Sequence, residues 1–417
     1  MKIFKFPEIR KKIFFTLLII VVFRLLAHIP TPGVDVTAIK AFLQDNVYLG
    51  MFDLFSGGGF QNFSIVTLGL GPYINVSIII QLLTIMIPSL EELSKEGESG
   101  REKINTYTRL FSVPMALIQS FGIYFLLNKQ GVITQLGTFD LLILMLSLTV
   151  GSMILVWLGE LVTEYGIGNG ISLLIFVGII GRLPLTIASF VSTLDAATLF
   201  NAVIFLALTC VVIAGVVMIN EGTRNIVIEY GRRGASSQKV TNYLPIKINQ
   251  AGVIPIIFAV SVVMLPSVIA VPLQSSTNSL IQGLGSFFAT NFSQQSLGYN
   301  ITYFLLVVGF TFFYTFVQFN PQKIADDVKK RGGFIPGIRP GSNTTKYLGG
   351  IVNRITLAGA LFLGLIAILP FIVEKTLGAS NLTIGGTGLL IVVSVVLETI
   401  RQVQSLTVTK SYDNYLK

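Results

Sequence analysis

With 417 residues, 52% of them hydrophobic, 12% charged and a mean hydropathy of +0.77, the chain is too apolar for an ordinary soluble protein. Soluble domains carry about a quarter charged residues, so the composition indicates a polytopic membrane protein. Its 29 Lys and Arg against 20 Asp and Glu leave a net charge of +9, concentrated in a few loops. A helix crossing the ~30 Å hydrocarbon core needs about 20 apolar residues. The ten spans predicted on that rule lie near 13–29, 72–88, 110–127, 139–160, 171–190, 199–219, 251–271, 302–319, 350–373 and 387–407. Runs such as LLILMLSLTVGSMILVWL, 141–158, are apolar on every face, without the period-two alternation of a transmembrane barrel.

In chain order, the N-terminus has the basic start and apolar core of a signal peptide. Arg24 interrupts that core, and no small-x-small site precedes Thr31-Pro32-Gly33, so a retained first helix is expected. His28, the only histidine, lies at that helix end beside Pro30 and reads as interfacial packing. Next comes SGGGFQNFSIVTLGLGPYINVSIIIQLL, 56–83, which joins a short, glycine-led half to an isoleucine-rich span. Gly69, Gly71 and Pro72 break the chain between the halves. Further on, Cys210 lies mid-span in the sixth helix; a single cysteine excludes an internal disulfide, and a buried, inert thiol is expected.

The basic residues alternate with the spans. Lys2, Lys5, Arg10, Lys11 and Lys12 precede the first helix and place the N-terminus in the cytoplasm. The loop at 91–109 carries Lys95, Arg101, Lys103 and Arg109; that at 220–250 carries Arg224, Arg232, Arg233, Lys239 and Lys247; that at 321–349 carries Lys323, Lys329, Lys330, Arg331, Arg339 and Lys346. Between 272 and 301 there is no Lys or Arg at all. Ten spans with both ends inside are therefore expected from charge as well as from hydropathy. The two later loops are longer than orientation requires. They read either as flanks attracted to anionic lipid or as docking surfaces for a large, acidic or RNA-containing partner, and their length with ordered turn chemistry favours docking.

The sequence contains no GxxxxGK[ST] phosphate loop, so ATP hydrolysis by that route is excluded, and no HExxH, Cys/His cluster or GxSxG. Ion-coupled transporters place carboxylates or histidines at mid-membrane depth. Here Arg24 can snorkel or pair, Glu398 lies one turn from Arg401, and Glu160 and Glu164 sit at the cytoplasmic end of the fourth span. That set is thin for proton coupling and suits a passive conduit or scaffold.

Several stretches, taken in order, resemble the SecY/Sec61α family of protein-conducting channels in its bacterial form. They are TPGVD (31–35), MFDLFSGGG (51–59), PYINVSIIIQLL (72–83), KEGESGREKINTYTR (95–109), WLGELVTEYGIGNGIS (157–172), NQAGVIPIIFA (249–259), FIPGIRPG (334–341) and GGTGLLIVV (385–393). The resemblance implies an all-α membrane protein of ten transmembrane helices in two pseudo-symmetric five-helix halves, 1–190 and 191–417, with a re-entrant plug half-helix at about 56–69. It implies a passive pore that moves unfolded preproteins across the membrane and releases transmembrane segments laterally into lipid. SecE and SecG are the implied partner subunits; energy comes from the SecA ATPase, a ribosome or the proton motive force, and the chain is no enzyme and carries no cofactor or metal. Preproteins with signal sequences and membrane lipid complete the partners, with ribosomal RNA reached through the basic loops and no DNA binding. The implied location is the bacterial cytoplasmic membrane.

Residue by residue, the plug matches Gly57, Gly58, Phe60, Phe63, Ile65 and Val66, and an ordinary external loop explains the glycines but not these apolar side chains. The pore ring matches Leu70, Ile74, Ile171, Ile175, Ile257 and Ile391, a set of branched aliphatics that resists ions by dewetting. Any one of them alone reads as core or lipid-facing packing. Lateral-gate positions match Asn75, Gln81, Gln119, Asn249 and Leu265, with Gln119 serving equally as polar glue in the bundle. Pro255 is expected to remove a hydrogen bond within the moving seventh helix. Docking toward cytoplasmic partners matches Arg224, Arg232, Arg233 and Arg339. The alternatives are an inverted-repeat solute transporter and an accessory SecY paralogue with restricted substrates.

Overall fold

A computed structural model describes residues 6–32, 34, 36–39, 58–133, 135–181, 183–184, 188, 199–230, 241–274, 278–293, 295–377 and 386–415. Gly57, Arg232 and Arg233 lie outside the described residues. The chain divides into two compact units, one formed by Met1–Thr193 with Val395–Lys417 and the other by Leu194–Ser394.

The first unit carries α1 (Pro7–Leu26), α2 (Gly71–Met86), α3 (Pro88–Lys95), α4 (Glu98–Lys129), α5 (Thr138–Tyr165) and α6 (Gly170–Ile180). Prolines in the first turns of α1, α2 and α3 start helices where the missing N–H costs nothing. At Ile87 the extended backbone ends α2, and α3 leaves at 101° to it. The core of this unit gathers Phe63, Leu68, Ala116, Leu127, Ile133, Leu144 and Leu148, from α4, α5, the connection between them and the segment before α2. Thr108, Ser112 and Thr149 are buried on α4 and α5 and donate to carbonyls one turn back, which satisfies hydroxyls that lipid would leave unpaired.

The second unit carries α7 (Leu199–Glu221), β1 (Thr223–Tyr230), β2 (Thr241–Lys247), α8 (Ile254–Gln274), α9 (Ser279–Asn291), α10 (Leu297–Gln318), α11 (Pro321–Lys330), β3 (Gly333–Phe334) and α12 (Ser342–Leu377). The last helix, α13 (Gly386–Tyr415), begins in it. Asn278, Ser296 and Asn320 cap α9, α10 and α11 by accepting from backbone N–H groups of the first turn.

Nine of the predicted spans fall on helices over most of their length, whereas α6 covers only the first ten residues of 171–190, whose remainder lies largely outside the described residues. Among the described residues six helical stretches are long and apolar enough to cross a membrane, Glu98–Lys129, Thr138–Tyr165, Val203–Glu221, Leu297–Lys330 (α10 running on into α11), Ser342–Val373 and Gly388–Val408, and there are seven if the bent pair α2–α3 is counted as one span. The protein is an all-α membrane protein to which a small sheet is added. That sheet corrects the reading of 220–250 and 321–349 as two separate loops. Its order is β2-β1-β3, antiparallel throughout, with Ile226 opposite Leu244 and Tyr230 opposite Gly333. Alternation along β1 turns Ile226 and Ile228 inward, and Pro245 is tolerated because β2 is an edge. Ile226 and Ile246 bury against Ala325 of α11, Ile335, and Leu348 and Val352 of α12.

Two further expectations are corrected. Cys210 is exposed on α7, because that helix turns most of its apolar surface outward. Pro255 is the second residue of α8, in a turn whose N–H groups have no helical acceptor, so it starts the helix instead of loosening its interior.

Candidate functional site

Residues 58–70, expected as a half-helix, form a succession of turns. Phe63, Thr67, Gly69 and Gly71 each donate to the carbonyl three residues back, and Ser64 donates to that of Gly59. Continuous helix is prevented by left-handed backbone at Gly58, Phe63 and Gly69, with φ of +87°, +40° and +56°. Phe63, a bulky residue in that region, is strained, and its surroundings hold it there. Its ring is wholly buried and meets Phe60 edge-on with centroids 6.4 Å apart. Val66 is buried as well, and Ile65 partly so.

The segment is fastened at both edges. On one side Pro30 and Ser64 form a β-bridge, Ile65 N–H donates to Ile29 O at 3.1 Å, and Thr31 donates to Phe63 O through both its N–H (2.8 Å) and its hydroxyl (2.6 Å). On the other, α5 approaches so closely that a Cβ on Gly151 would stand 1.9 Å from Ile65 O. The neighbouring Ser152 donates to Gly69 O at 2.9 Å. Thr67 closes the turns internally through its hydroxyl, which donates to Gly59 O at 3.1 Å.

The chain then runs directly into α2. Leu70 is its N-cap and Ile74 follows one turn later; both are buried. Asn75 is half-buried, and Gln81 donates to Ser77 of its own helix at 3.3 Å. Gln119 on α4 lies beside the start of α2, its Oε1 3.8 Å from where a Cβ on Gly71 would be.

The corner between α5 and α6 is built on glycines. A Cβ on Gly170 would fall 1.9 Å from Gly159 O, so the two helices touch through bare backbone. Asn169 caps α6 by accepting from Ser172 N–H at 3.2 Å, and Thr163 accepts from Gly170 N–H at 2.9 Å. Ile171 is therefore in the first turn, with its Cγ1 3.1 Å from where a Cβ on Gly159 would stand. It lies at the level of Glu160, which pairs with Arg109 at 3.3 Å. Ile175, one turn deeper, is buried.

In the second unit Ile257 on α8 and Ile391 on α13 are both buried, whereas Leu265 is exposed. Asn249 is buried just before α8 and is held by a polar chain. It donates to Asn220 Oδ1 of α7 at 2.7 Å, and Asn220 donates to Ser394 Oγ of α13 at 2.8 Å. Asn249 Oδ1 also accepts from Gly252 N–H at 3.0 Å, fixing the turn into α8, where Gly252 has φ +65°.

The family model described as SecY matches residues 64–400. The chain belongs to the SecY family. Protein translocase subunit SecY of Thermus thermophilus is 43% identical, over 98% of this chain and 95% of that one. Its counterpart from Corynebacterium glutamicum is 41% identical over 99% and 98%. Among solved structures, a SecY protein whose plug domain stabilises the closed state of the translocation channel aligns with TM-score 0.62, 21% identity and coverage of 97% of this chain and 96% of that one. Sec61 in the canine ribosome-channel complex aligns with TM-score 0.58 and 18% identity over 97% and 96%. These two share the fold.

On this SecY chain the basic candidates sit on the sheet and its flank. Arg224 is exposed on β1. Arg339 is exposed in a turn whose left-handed positions are Gly337 (φ +79°) and Gly341 (φ +107°). Thr344 donates to Arg339 O at 3.1 Å, and Ile335 and Ile338 anchor the turn in the core beneath the sheet. Sequence reasoning missed the groups that hold these sites: Thr31, Gly151 and Ser152 around 58–70, and Asn220 and Ser394 around Asn249. The Gly151-Ser152 pair carries no local signal, since its partners lie some eighty residues earlier; the separation of Ser152 from Gly69 is 83.

Proposed function

We propose that the chain is the channel-forming subunit of a protein translocase, a passive, non-enzymatic pore that moves unfolded preproteins across a bacterial cytoplasmic membrane and releases apolar segments sideways into lipid. The observation that carries this reading is the buried, non-helical segment 58–70 set directly before Leu70 and Ile74. Lipid does not tolerate irregular backbone, so such a segment belongs inside protein or against an aqueous cavity. A plug at the end of a conducting path fits both its position and its fastening.

In this reading the pore ring is made by Leu70, Ile74, Ile171, Ile175, Ile257 and Ile391, in a fold of ten crossings with both termini cytoplasmic. Ile171 stands in the first turn of α6, against Gly159, the chain neighbour of Glu160. Asn75, Gln81, Gln119, Asn249 and Leu265 belong to the lateral gate. Asn249 serves it indirectly, by fixing where α8 starts. SecE and SecG are the expected partner subunits, and SecA, a ribosome or the proton motive force supplies the energy. The relation to Sec61 of a ribosome-channel complex supports the ribosome as a partner of the exposed turn at Arg339.

Reconstitution with SecE, SecA and a radiolabelled preprotein in proteoliposomes tests the reading. ATP-dependent protease protection of the preprotein is expected. Uptake of a small solute with no preprotein protection would favour the transporter alternative instead.

A further inference from the structure

Arg24 is the one charge in the apolar part of α1, and its side chain has a definite destination. Nη2 donates to Val177 O at 2.5 Å, in the last turn of α6, a carbonyl that also accepts from Gly181 N–H at 3.0 Å. The guanidinium lies on Gly181, the C-cap of α6. A Cβ built there would stand 1.0 Å from Nη2 and 1.8 Å from Cζ. A cation at a helix C-terminus is favourable, and more so where water is scarce. The same end of α1 continues into residues that hold the segment 58–70. Asn62 Nδ2 reaches Ala27 O at 3.4 Å, Ile65 N–H donates to Ile29 O, and Thr31 binds Phe63 O. One helix end thus grips two parts of the site, the segment before α2 and the helix that carries Ile175.

We propose that Arg24 is a positioning residue of the channel: with Gly181 as its receptacle it clamps the C-terminal turn of α6 onto the end of α1, and so holds Ile175 in register with the segment 58–70. The proposal rests on the channel reading. Gly181 is glycine because the guanidinium occupies the space a side chain would need. Removing the cation frees α6 to shift against the segment, and the closed state loses its seal.

The test combines a stability cycle with conductance. Thermal unfolding in nanodiscs is measured for Gly181→Ala, Arg24→Gln and the pair. Gly181→Ala alone is expected to lower the midpoint, and to do so far less in the Arg24→Gln background, because the shorter side chain vacates the site. Residues in contact give such non-additive cycles, whereas independent ones add. In planar bilayers Arg24→Gln should raise the leak current, and Arg24→Lys, which keeps a cation, should restore most of the seal. An additive cycle overturns the clamp. If Arg24→Gln seals like the unmodified protein while Ile74→Asn leaks, the clamp falls and the channel reading stands. If Ile74→Asn seals as well, the channel reading itself fails. Should Arg24→Gln not accumulate, Gly181→Ala is compared with Gly181→Ala/Arg24→Lys: recovery of the seal by the slimmer ammonium supports the clamp, and no recovery overturns it.

Discussion

Ile74 lies one helical turn past Leu70, and both are buried where the turn-rich segment gives way to helix. A branched aliphatic at a constriction excludes water, and a hydrated amide of similar length makes wetting easier. Ile74→Asn is therefore expected to leak ions and to pass precursors with defective signal sequences. If the substitution destabilises the closed state by about 1–2 kcal/mol, the open population rises by roughly an order of magnitude, so a weak signal suffices. Bilayer conductance paired with export of a signal-defective reporter checks this; a tight channel that still rejects the reporter would make Ile74 ordinary packing. At this scale the sequence exposed residue identity but not partnership. Asn249 was legible as a polar residue at the start of an apolar helix. Its role as the end of a chain through Asn220 to Ser394 was not, because those contacts span 29 and 174 residues. Cys210 failed for the opposite reason: in a lipid-facing helix an apolar neighbourhood does not mean burial by protein.

Among elements, the spans were legible because crossing lipid demands about 20 apolar residues in a row, a signal that tertiary contacts do not alter. The sheet was overlooked although β1 carries a β-branched run, Ile226-Val227-Ile228, between polar residues; a run that short is lost in a hydropathy window sized for a membrane span. For 58–70 the sequence indicated a short, glycine-broken half-helix, but the segment is a succession of turns held by neighbours, by Thr31 on one side and Gly151 on the other. That fastening predicts the effect of a single methyl group. In Gly151→Ala the new Cβ would overlap Ile65 O, at 1.9 Å, and since the obstacle is backbone the segment must move as a unit. The expected outcome is a folded protein with intermittent ion leakage and increased labelling of a cysteine placed at Ile65, read in a Cys210→Ser background. Ser152→Ala removes only one hydrogen bond, worth about 1 kcal/mol, and should leak far less. Equal leakage from both substitutions would mean that close backbone contact is not what holds the segment.

At the scale of the whole molecule, the question is where a chain without a phosphate loop obtains directed movement. On the proposed reading, the second unit is where an engine would dock. The sheet, α11 and the start of α12 share one apolar core, so the turn bearing Arg339 is rigidly mounted. Lys323, Lys329, Lys330, Arg331 and Lys346 are exposed on the same stretch of chain, which gives the platform its positive charge. A mounted, exposed cation costs little to replace where folding is concerned: Thr344 binds the turn through the Arg339 carbonyl, which substitution leaves in place. Arg339→Glu should therefore accumulate and insert normally, with an unfolding midpoint close to that of the unmodified protein. Reversing the charge turns attraction into repulsion toward an acidic or RNA partner, and such juxtapositions cost several kcal/mol. Motor-driven translocation in proteoliposomes is accordingly expected to fall by at least tenfold, whereas basal leak stays unchanged because Arg339 is remote in sequence and element from Leu70 and Ile74. Arg339→Lys keeps the charge but not the planar fork, so partial activity would show that bidentate recognition matters as well as sign. SecA-stimulated transport by Arg339→Glu at the unmodified rate would remove this turn from the docking surface, and a leak that rose with the same substitution would tie the platform to the seal and not to the engine.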